Sequence, residues 1–174
     1  LMSLYLNFTR HSLNIFELSI FRIIINKYYI CIMKFSQRYK TKEFAAINQE
    51  IGLLEGVHIM EVGEAKGHDM LVDVMTLSQI VEAGNSQPQG VKCRFGHPNM
   101  CADALGTYLG RYKNFRFKDG NTVIADLYLD ETAKITPNGD LYSYVLTMAI
   151  SNPDMFGNSV VVSCAEPHMV IVTN

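Results

Sequence analysis

Apolar residues recur at helical spacing in one segment of the C-terminal half of the chain. The segment lies between Pro137-Asn138-Gly139, which breaks regular structure, and Pro153, which stops a helix. The pattern predicts a helix over residues 140–152. The positions on its apolar side are Leu141, Tyr144, Val145, Met148 and Ala149.

A different pattern, strict alternation of apolar and polar positions, marks the segment just before that helix. Residues 123–129 alternate with period two, and the tight-turn pair Asp119-Gly120 comes shortly before them. We therefore predict a β-hairpin made of residues 111–118 and 122–129. Further strands, rich in β-branched residues, are predicted at 159–163 and 169–173.

The preceding part of the chain combines short strands with one more helix. Residues 53–63 predict a strand, a turn and a second strand, and residues 64–75 predict a loop that leads into a helix. Thr76 with Gln79 three positions later forms a capping-box pattern at a helix start, and Gly84 is expected to end that helix. The sum is an α+β, mainly β domain: a mostly antiparallel sheet with two or more helices packed against it.

The first 32 residues differ in composition from all that follows. They contain no Gly, Ala, Pro, Val or Asp and are rich in residues with AT-rich codons. We therefore predict that residues 1–32 are non-native upstream sequence and that the native chain starts at Met33. Residues 33–50 are then a polar N-terminal arm, and residues 51–174 form the folded domain.

Composition and charge exclude several classes of function. Apolar residues make up 48% of the chain, which is enough to bury a core. The net charge is −2, so the chain lacks the excess of basic residues that is typical of a nucleic-acid-binding protein. Glu17, Arg22 and Lys27 interrupt the apolar run near the start, so neither a signal peptide nor a membrane span is predicted.

The four cysteines, at positions 31, 93, 101 and 164, do not form a metal-binding pattern. None stands in a CxxC pair, and no histidine has finger-like spacing from a pair. We expect free thiols, no metal and no cofactor. Cys93 and Cys101 flank His97, so a cysteine hydrolase that uses one of them is a weaker alternative.

Ser159 and His97 are the candidate catalytic residues. Ser159 follows Phe156-Gly157-Asn158 and opens an apolar strand, so a sheet would hold its hydroxyl while the glycine loop offers N–H donors to an oxyanion. His97 stands between Gly96 and Pro98, where a bend can aim an imidazole out of a strand end. Either residue alone is more often structural. His58, inside a strand, is expected to be structural.

Taken together in their order, four stretches resemble the prohead proteases of tailed bacteriophages. A histidine in a loop precedes a hairpin, then a helix, then a serine that opens a strand. The resemblance covers about two thirds of the chain, and it lies in the ordered set, since no single motif is decisive. The stretches are GLLEGVHIMEVGEAKGHDMLVD (52–73), VKCRFGHPNMCADALGTYLGRYKNF (91–115), VIADLYLDETA (123–133) and GDLYSYVLTMAISNPDMFGNSVVVS (139–163).

The resemblance implies a serine endopeptidase that cleaves scaffold and capsid proteins inside the assembling procapsid, in the bacterial cytoplasm. It implies a small, mostly antiparallel β-barrel flanked by helices, similar to the herpesvirus assemblins. Ser159 would be the nucleophile and His97 the general base. Capsid and scaffold proteins are the expected partners, a homo-oligomer is possible, and neither nucleic acid nor a membrane is expected.

The chain departs from the family pattern after Ser159. A third catalytic residue is expected on a strand well beyond the serine, but only 15 residues follow it. Glu166, His168 and a residue beyond the chain end stay open as that third member, and the barrel is expected to be incomplete at its C-terminal side. The alternative is a non-catalytic capsid-assembly or scaffold-like interaction module that keeps the protease fold.

Overall fold

One eight-stranded sheet organises the protein. The computed structural model describes residues 2–7, 39–40, 44–65, 70–96 and 106–163. In the order in which the strands lie side by side, the sheet consists of β2 (Tyr39–Lys40), β10 (Gly157–Ser163), β1 (Met2–Asn7), β7 (Val91–Phe95), β8 (Tyr108–Lys118), β9 (Thr122–Leu129), β4 (Leu53–Glu61) and β3 (Ala46–Asn48). Every pair of neighbours in this sheet is antiparallel except β1 and β10, which are parallel.

A short hairpin and two helices complete the described structure. The hairpin pairs β5 (Gly63–Ala65) with β6 (Met70–Val72), and the helices are α1 (Val74–Asn85) and α2 (Leu141–Ser151). Short 3-10 helices cover Glu131–Ile135 and Pro153–Met155. The predicted loop over residues 64–75 does lead into a helix, but it was wrong for residues 64–65 and 70–72, which pair as strands, and α1 has begun by Val74.

Helix α1 starts three residues earlier than its sequence pattern indicated. Asp73 is the N-cap, and its carboxylate accepts hydrogen bonds from the Thr76 backbone N–H and hydroxyl, both at 2.7 Å. Thr76 was predicted to be the N-cap itself. That prediction was wrong, because Thr76 is the residue that donates to the cap. Gly84 also does not end the helix: it lies in the last turn, where an added Cβ would stand 2.5 Å from the Phe115 ring.

Strand β4 is continuous where a turn was predicted. Glu55-Gly56 has the composition of a turn, but Gly56 adopts a positive φ of 71° within the strand, at a shift in its pairing with β9. The Gly56 N–H donates to the buried carboxylate of Asp126 at 2.9 Å, and Asp126 also pairs with Arg116 at 2.9 Å. Gly56 therefore forms a β-bulge, and the buried Asp126 carboxylate satisfies the hydrogen bond of its N–H.

The hairpin and the second helix match their predictions. Strands β8 and β9 are joined by a tight turn of residues 119–121, in which Asp119 and Gly120 both have a positive φ. Asp140 caps α2 by accepting from the Ser143 N–H at 2.9 Å. Two residues predicted on the apolar side of α2 are less covered than expected: Tyr144 is 51% exposed and Met148 is half-buried.

The α+β class with a mostly antiparallel sheet and two helices is confirmed, whereas the described strands form an open sheet and a closed barrel stays a prediction. The sheet does bring distant strands together, since Asn158 of β10 donates a side-chain hydrogen bond to the His58 carbonyl of β4. Strand β1 falls within the predicted non-native segment 1–32, and that prediction stays open. In the described part of the chain, neither helix has the length and apolarity needed to cross a membrane.

Candidate active site

Ser159 lies near the start of β10 and is almost fully covered. The strand begins at Gly157, so Ser159 is its third residue and does not open it as predicted. Its exposed fraction is 2%, and Asn158 before it is completely buried. The residue is therefore held by a strand, as a rigid nucleophile requires, but almost none of its surface is open to solvent.

His97 lies outside the described residues, as do the candidate third residues Glu166 and His168 and the alternative nucleophile Cys101. The structure does place the chain directly before His97. Strand β7 ends at Phe95, and Gly96 has a positive φ of 93°, which favours glycine and turns the chain out of the strand direction.

The end of β7 and the start of β10 lie at the same end of the sheet. Strand β1 runs between them, and its residue Met2 pairs with Asn158 on one side and with Phe95 on the other. Neighbouring strands are about 4.8 Å apart, so Asn158 and Phe95 are separated by about 10 Å across β1. Ser3 likewise stands between Ser159 and Arg94, which places those two residues on one face of the sheet.

A buried polar chain anchors β10 directly beside Ser159. The Tyr112 hydroxyl donates to Asn158 Oδ1 at 2.8 Å, and Asn158 Nδ2 donates to the His58 carbonyl. Tyr112 is also hydrogen-bonded to the Cys93 thiol. We call Cys93, Tyr112, Asn158 and the His58 carbonyl the buried polar chain.

Sequence reasoning missed the residues of the buried polar chain. Asn158 could have been noticed as a polar residue between glycine and an apolar strand, but nothing in the sequence identifies Tyr112 as its partner 46 positions earlier. The prediction that His58 is structural is consistent with its place in β4. Its carbonyl accepts from Asn158, and its Nε2 lies 3.7 Å from the Glu61 carboxylate.

Burial keeps both ionisable groups of the buried polar chain, the Cys93 thiol and the Tyr112 hydroxyl, neutral. Desolvation raises the pKa of the Cys93 thiol to about 12, with Tyr112 as a smaller opposing influence. Desolvation, followed by the neighbouring Cys93, raises the pKa of Tyr112 well above its ordinary value. Both groups stay protonated throughout the physiological pH range, so Cys93 lacks the thiolate that a cysteine nucleophile needs.

We predict that Cys93 resists alkylation in the folded protein. With a pKa of about 12 in place of 9.0, the thiolate fraction at pH 8 falls about a thousandfold, and burial removes access as well. Iodoacetamide treatment followed by peptide mass mapping should label Cys93 only after denaturation. Rapid labelling of Cys93 in the native protein would contradict this structure and favour the cysteine-hydrolase alternative.

A cavity of about 160 Å³ opens at the same end of the sheet. One side is Phe95, the last residue of β7, and another is Gly157, the first residue of β10. The remaining wall comes from α2 and the short 3-10 helix after it. We call this the strand-end cavity, and its lining residues are Phe95, Tyr144, Val145, Met148, Met155, Phe156 and Gly157.

Among the described residues, no group of three or more His, Cys, Asp or Glu side chains is arranged to hold a metal ion. Comparison with known proteins found no matching family model, no matching curated protein and no matching solved structure. The resemblance to the prohead proteases therefore stays a prediction from the sequence.

Proposed function

We propose that this protein is a serine endopeptidase of the prohead-protease kind, with Ser159 as nucleophile and His97 as general base. It would act on capsid and scaffold proteins within the assembling procapsid of a tailed phage, in the bacterial cytoplasm. The observation that carries the proposal is the shared end of the sheet at which β7 leads into His97 and β10 presents Ser159.

The separation between those strands is within reach of the histidine. His97 follows Phe95 by two residues, which span up to about 7 Å when extended. The turn at Gly96 allows this short segment to run across the end of β1 instead of away from the sheet. An imidazole carried there can approach a hydroxyl about 10 Å from the end of β7.

The chemistry would follow the usual order for a serine hydrolase. The Ser159 hydroxyl attacks the scissile carbonyl carbon while His97 takes its proton, and the proton then passes to the leaving amine. Water hydrolyses the resulting ester and restores the serine. Backbone N–H groups around Gly157 and Asn158 would stabilise the oxyanion. No metal or cofactor takes part in this scheme.

The arrangement of strands also supports the finer proposal of an assemblin-like barrel. The side chain of Asn158 joins β10 to β4, two strands that are not neighbours in the sheet, and a barrel would bring such strands together. Strands β7 and β10 run antiparallel to each other on either side of β1.

The near-complete burial of Ser159 favours a second candidate function. A non-catalytic capsid-assembly module would keep the protease fold and use the serine only as a buried strand residue. Such a module would bind capsid or scaffold protein without cleaving it. The two functions differ in whether the Ser159 hydroxyl ever becomes reachable and nucleophilic.

A fluorophosphonate probe separates these functions on the full chain. We expect covalent labelling of Ser159, located by peptide mass spectrometry, with a rate that falls as His97 becomes protonated at low pH. His97→Gln should remove most of the labelling. A folded protein that shows no adduct on Ser159 after prolonged exposure would overturn the enzyme and support the assembly module.

A further inference from the structure

We propose that one face of strands β7 and β8 binds an acidic, extended peptide segment of a partner protein. This face carries four cations, which we call the basic face: Lys92 and Arg94 of β7, and Arg111 and Lys113 of β8. The proposal goes beyond the proposed function and does not depend on the chemistry of Ser159. Both strands follow Met33 in the sequence, so the basic face is present whichever residue starts the native chain.

The strand register places the four cations side by side. Lys92 lies directly opposite Arg111, and Arg94 and Lys113 are each two positions further along their own strand, on the same face. The residues on either side of Lys92 and of Arg111 are buried, so the cations point away from the core. Because the strands are antiparallel, Arg94 and Lys113 lie at opposite ends of a row that spans about 14 Å along the sheet.

The fold itself gains no stability from this grouping of charge. Like charges directly opposite each other in a sheet are destabilising, and Lys92 faces Arg111 in this way. The ion pairs within the described residues involve the cations His58, Arg116 and Lys134, and none of them includes a cation of the basic face. The basic face is therefore not built to balance its charge within these parts of the chain.

Two carboxylates lie near the basic face, and other groups already engage them. Asp126 lies opposite a cation of the basic face in β9, but it pairs with Arg116 at 2.9 Å and is 7% exposed. The pKa of Asp130 is lowered chiefly by hydrogen bonds from Thr132 and only weakly by Arg111. We infer that the balancing negative charge comes from a binding partner.

Two of the cations are held in position over β7. The Arg111 guanidinium donates to the Gly90 carbonyl at 3.0 Å. Lys113 lies against the same glycine, where an added Cβ would stand 2.8 Å from Lys113 Cγ, and its ammonium lies 5.6 Å from the centre of the Tyr128 ring. Side chains that are already in position lose less conformational entropy when a ligand binds.

Arg94 provides a separate observation that points to a ligand. Its Nη1 is buried and has no hydrogen-bond acceptor among the residues that the structure describes, although the residue as a whole is only half-buried. A buried charged donor without an acceptor is costly, and a carboxylate removes that cost. Arginine binds carboxylates through two parallel N–H bonds, which fits an aspartate or glutamate side chain.

The length of the row fits an extended peptide with acidic residues at alternate positions. Carboxylates at positions i, i+2 and i+4 of such a peptide span about 14 Å, the same length as the basic face. Two observations favour a peptide over nucleic acid. The net charge of −2 opposes a long polyanion, and the Tyr128 ring is already covered by Lys113 and not free to stack on a base.

Fluorescence anisotropy with the full chain tests the proposal. The probe is the fluorescein-labelled peptide Gly-Glu-Gly-Glu-Gly-Glu-Gly, and its counterparts carry glutamine or lysine in place of glutamate. A labelled single-stranded oligothymidylate represents nucleic acid. At low salt we expect the acidic peptide to bind at least about tenfold more tightly than each of the other three, and to weaken as salt rises above about 0.15 M.

Two charge-removing variants locate the binding. Lys92→Gln and Arg94→Gln should each weaken binding of the acidic peptide at least about fivefold. Lys92 is exposed, so its variant remains informative if Arg94→Gln unfolds the chain. Lys134→Gln is the matched control, because it removes the same charge from an ion pair outside the basic face and should change the affinity by less than about twofold. Circular dichroism establishes that each variant is folded.

Each outcome supports or overturns the proposal. Equal affinities for the acidic and glutamine peptides, or equal weakening by Lys134→Gln and Lys92→Gln, would overturn it. Tighter binding of oligothymidylate than of the acidic peptide would overturn the peptide as ligand and assign the face to nucleic acid. None of these measurements uses the Ser159 hydroxyl, so a failure here leaves the hydrolase in place, and a failure of fluorophosphonate labelling leaves the basic face in place.

Discussion

Under the proposed function, replacing Ser159 with alanine is expected to abolish proteolysis, lowering it by at least about 10⁴-fold, because the variant would lack the nucleophile that forms the acyl-enzyme. The fold should persist, since the change removes one oxygen from a strand that remains anchored through Asn158. The measurement is the processing of capsid and scaffold proteins co-expressed with the full chain, followed by intact mass spectrometry. The chain's own processing is read from the same spectra.

A second serine provides the control for this experiment. Ser78 lies on the exposed side of α1, where its hydroxyl donates to the Val74 carbonyl at 3.0 Å, and Ser78→Ala should leave processing unchanged. Circular dichroism and urea unfolding establish that both variants are folded. Undiminished cleavage by Ser159→Ala would remove Ser159 from the mechanism and, with it, the proposed nucleophile.

Local patterns identified the elements whose structure is decided locally. The alternation in 123–129, the Asp119-Gly120 turn and the helical spacing in α2 each depend on residues that are neighbours in sequence, and the structure agrees with them. The errors occurred where a distant residue decides the outcome. Gly56 has turn composition but stays within β4 because the carboxylate of Asp126 accepts its N–H.

The candidate site shows the same contrast between features decided by neighbouring residues and features decided by distant ones. Ser159 and His97 could be selected from their local surroundings and from the order of the surrounding stretches. The partners that fix Asn158 could not, because Tyr112 and His58 reach it from other strands. The strand-end cavity could not be predicted from the sequence either, because Tyr144 and Met148 share the apolar side of α2 and the pattern places both in the core.

Replacing Asn158 with leucine is expected to lower the free energy of unfolding by about 3 kcal/mol. Leucine has a similar size but no polar atoms, so the Tyr112 hydroxyl and the His58 carbonyl each lose a partner, at about 1–3 kcal/mol per buried group. Urea unfolding of the full chain, monitored by circular dichroism, measures the change. The slope of the transition should stay the same, since the folded surface is unaltered.

A double-mutant cycle tests whether the loss comes from the buried polar chain itself. Tyr112→Phe with Asn158→Leu removes both partners of the tyrosine bond, so the double variant should lose less stability than the two single variants together. Asn121→Leu, on the exposed turn after Gly120, is the matched control and should change stability by no more than about 0.5 kcal/mol. Strict additivity of the two losses, or a loss below about 1 kcal/mol for Asn158→Leu, would show that Asn158 does not hold β10 through these bonds. Ser159 would then lack the rigid strand on which its proposed role depends.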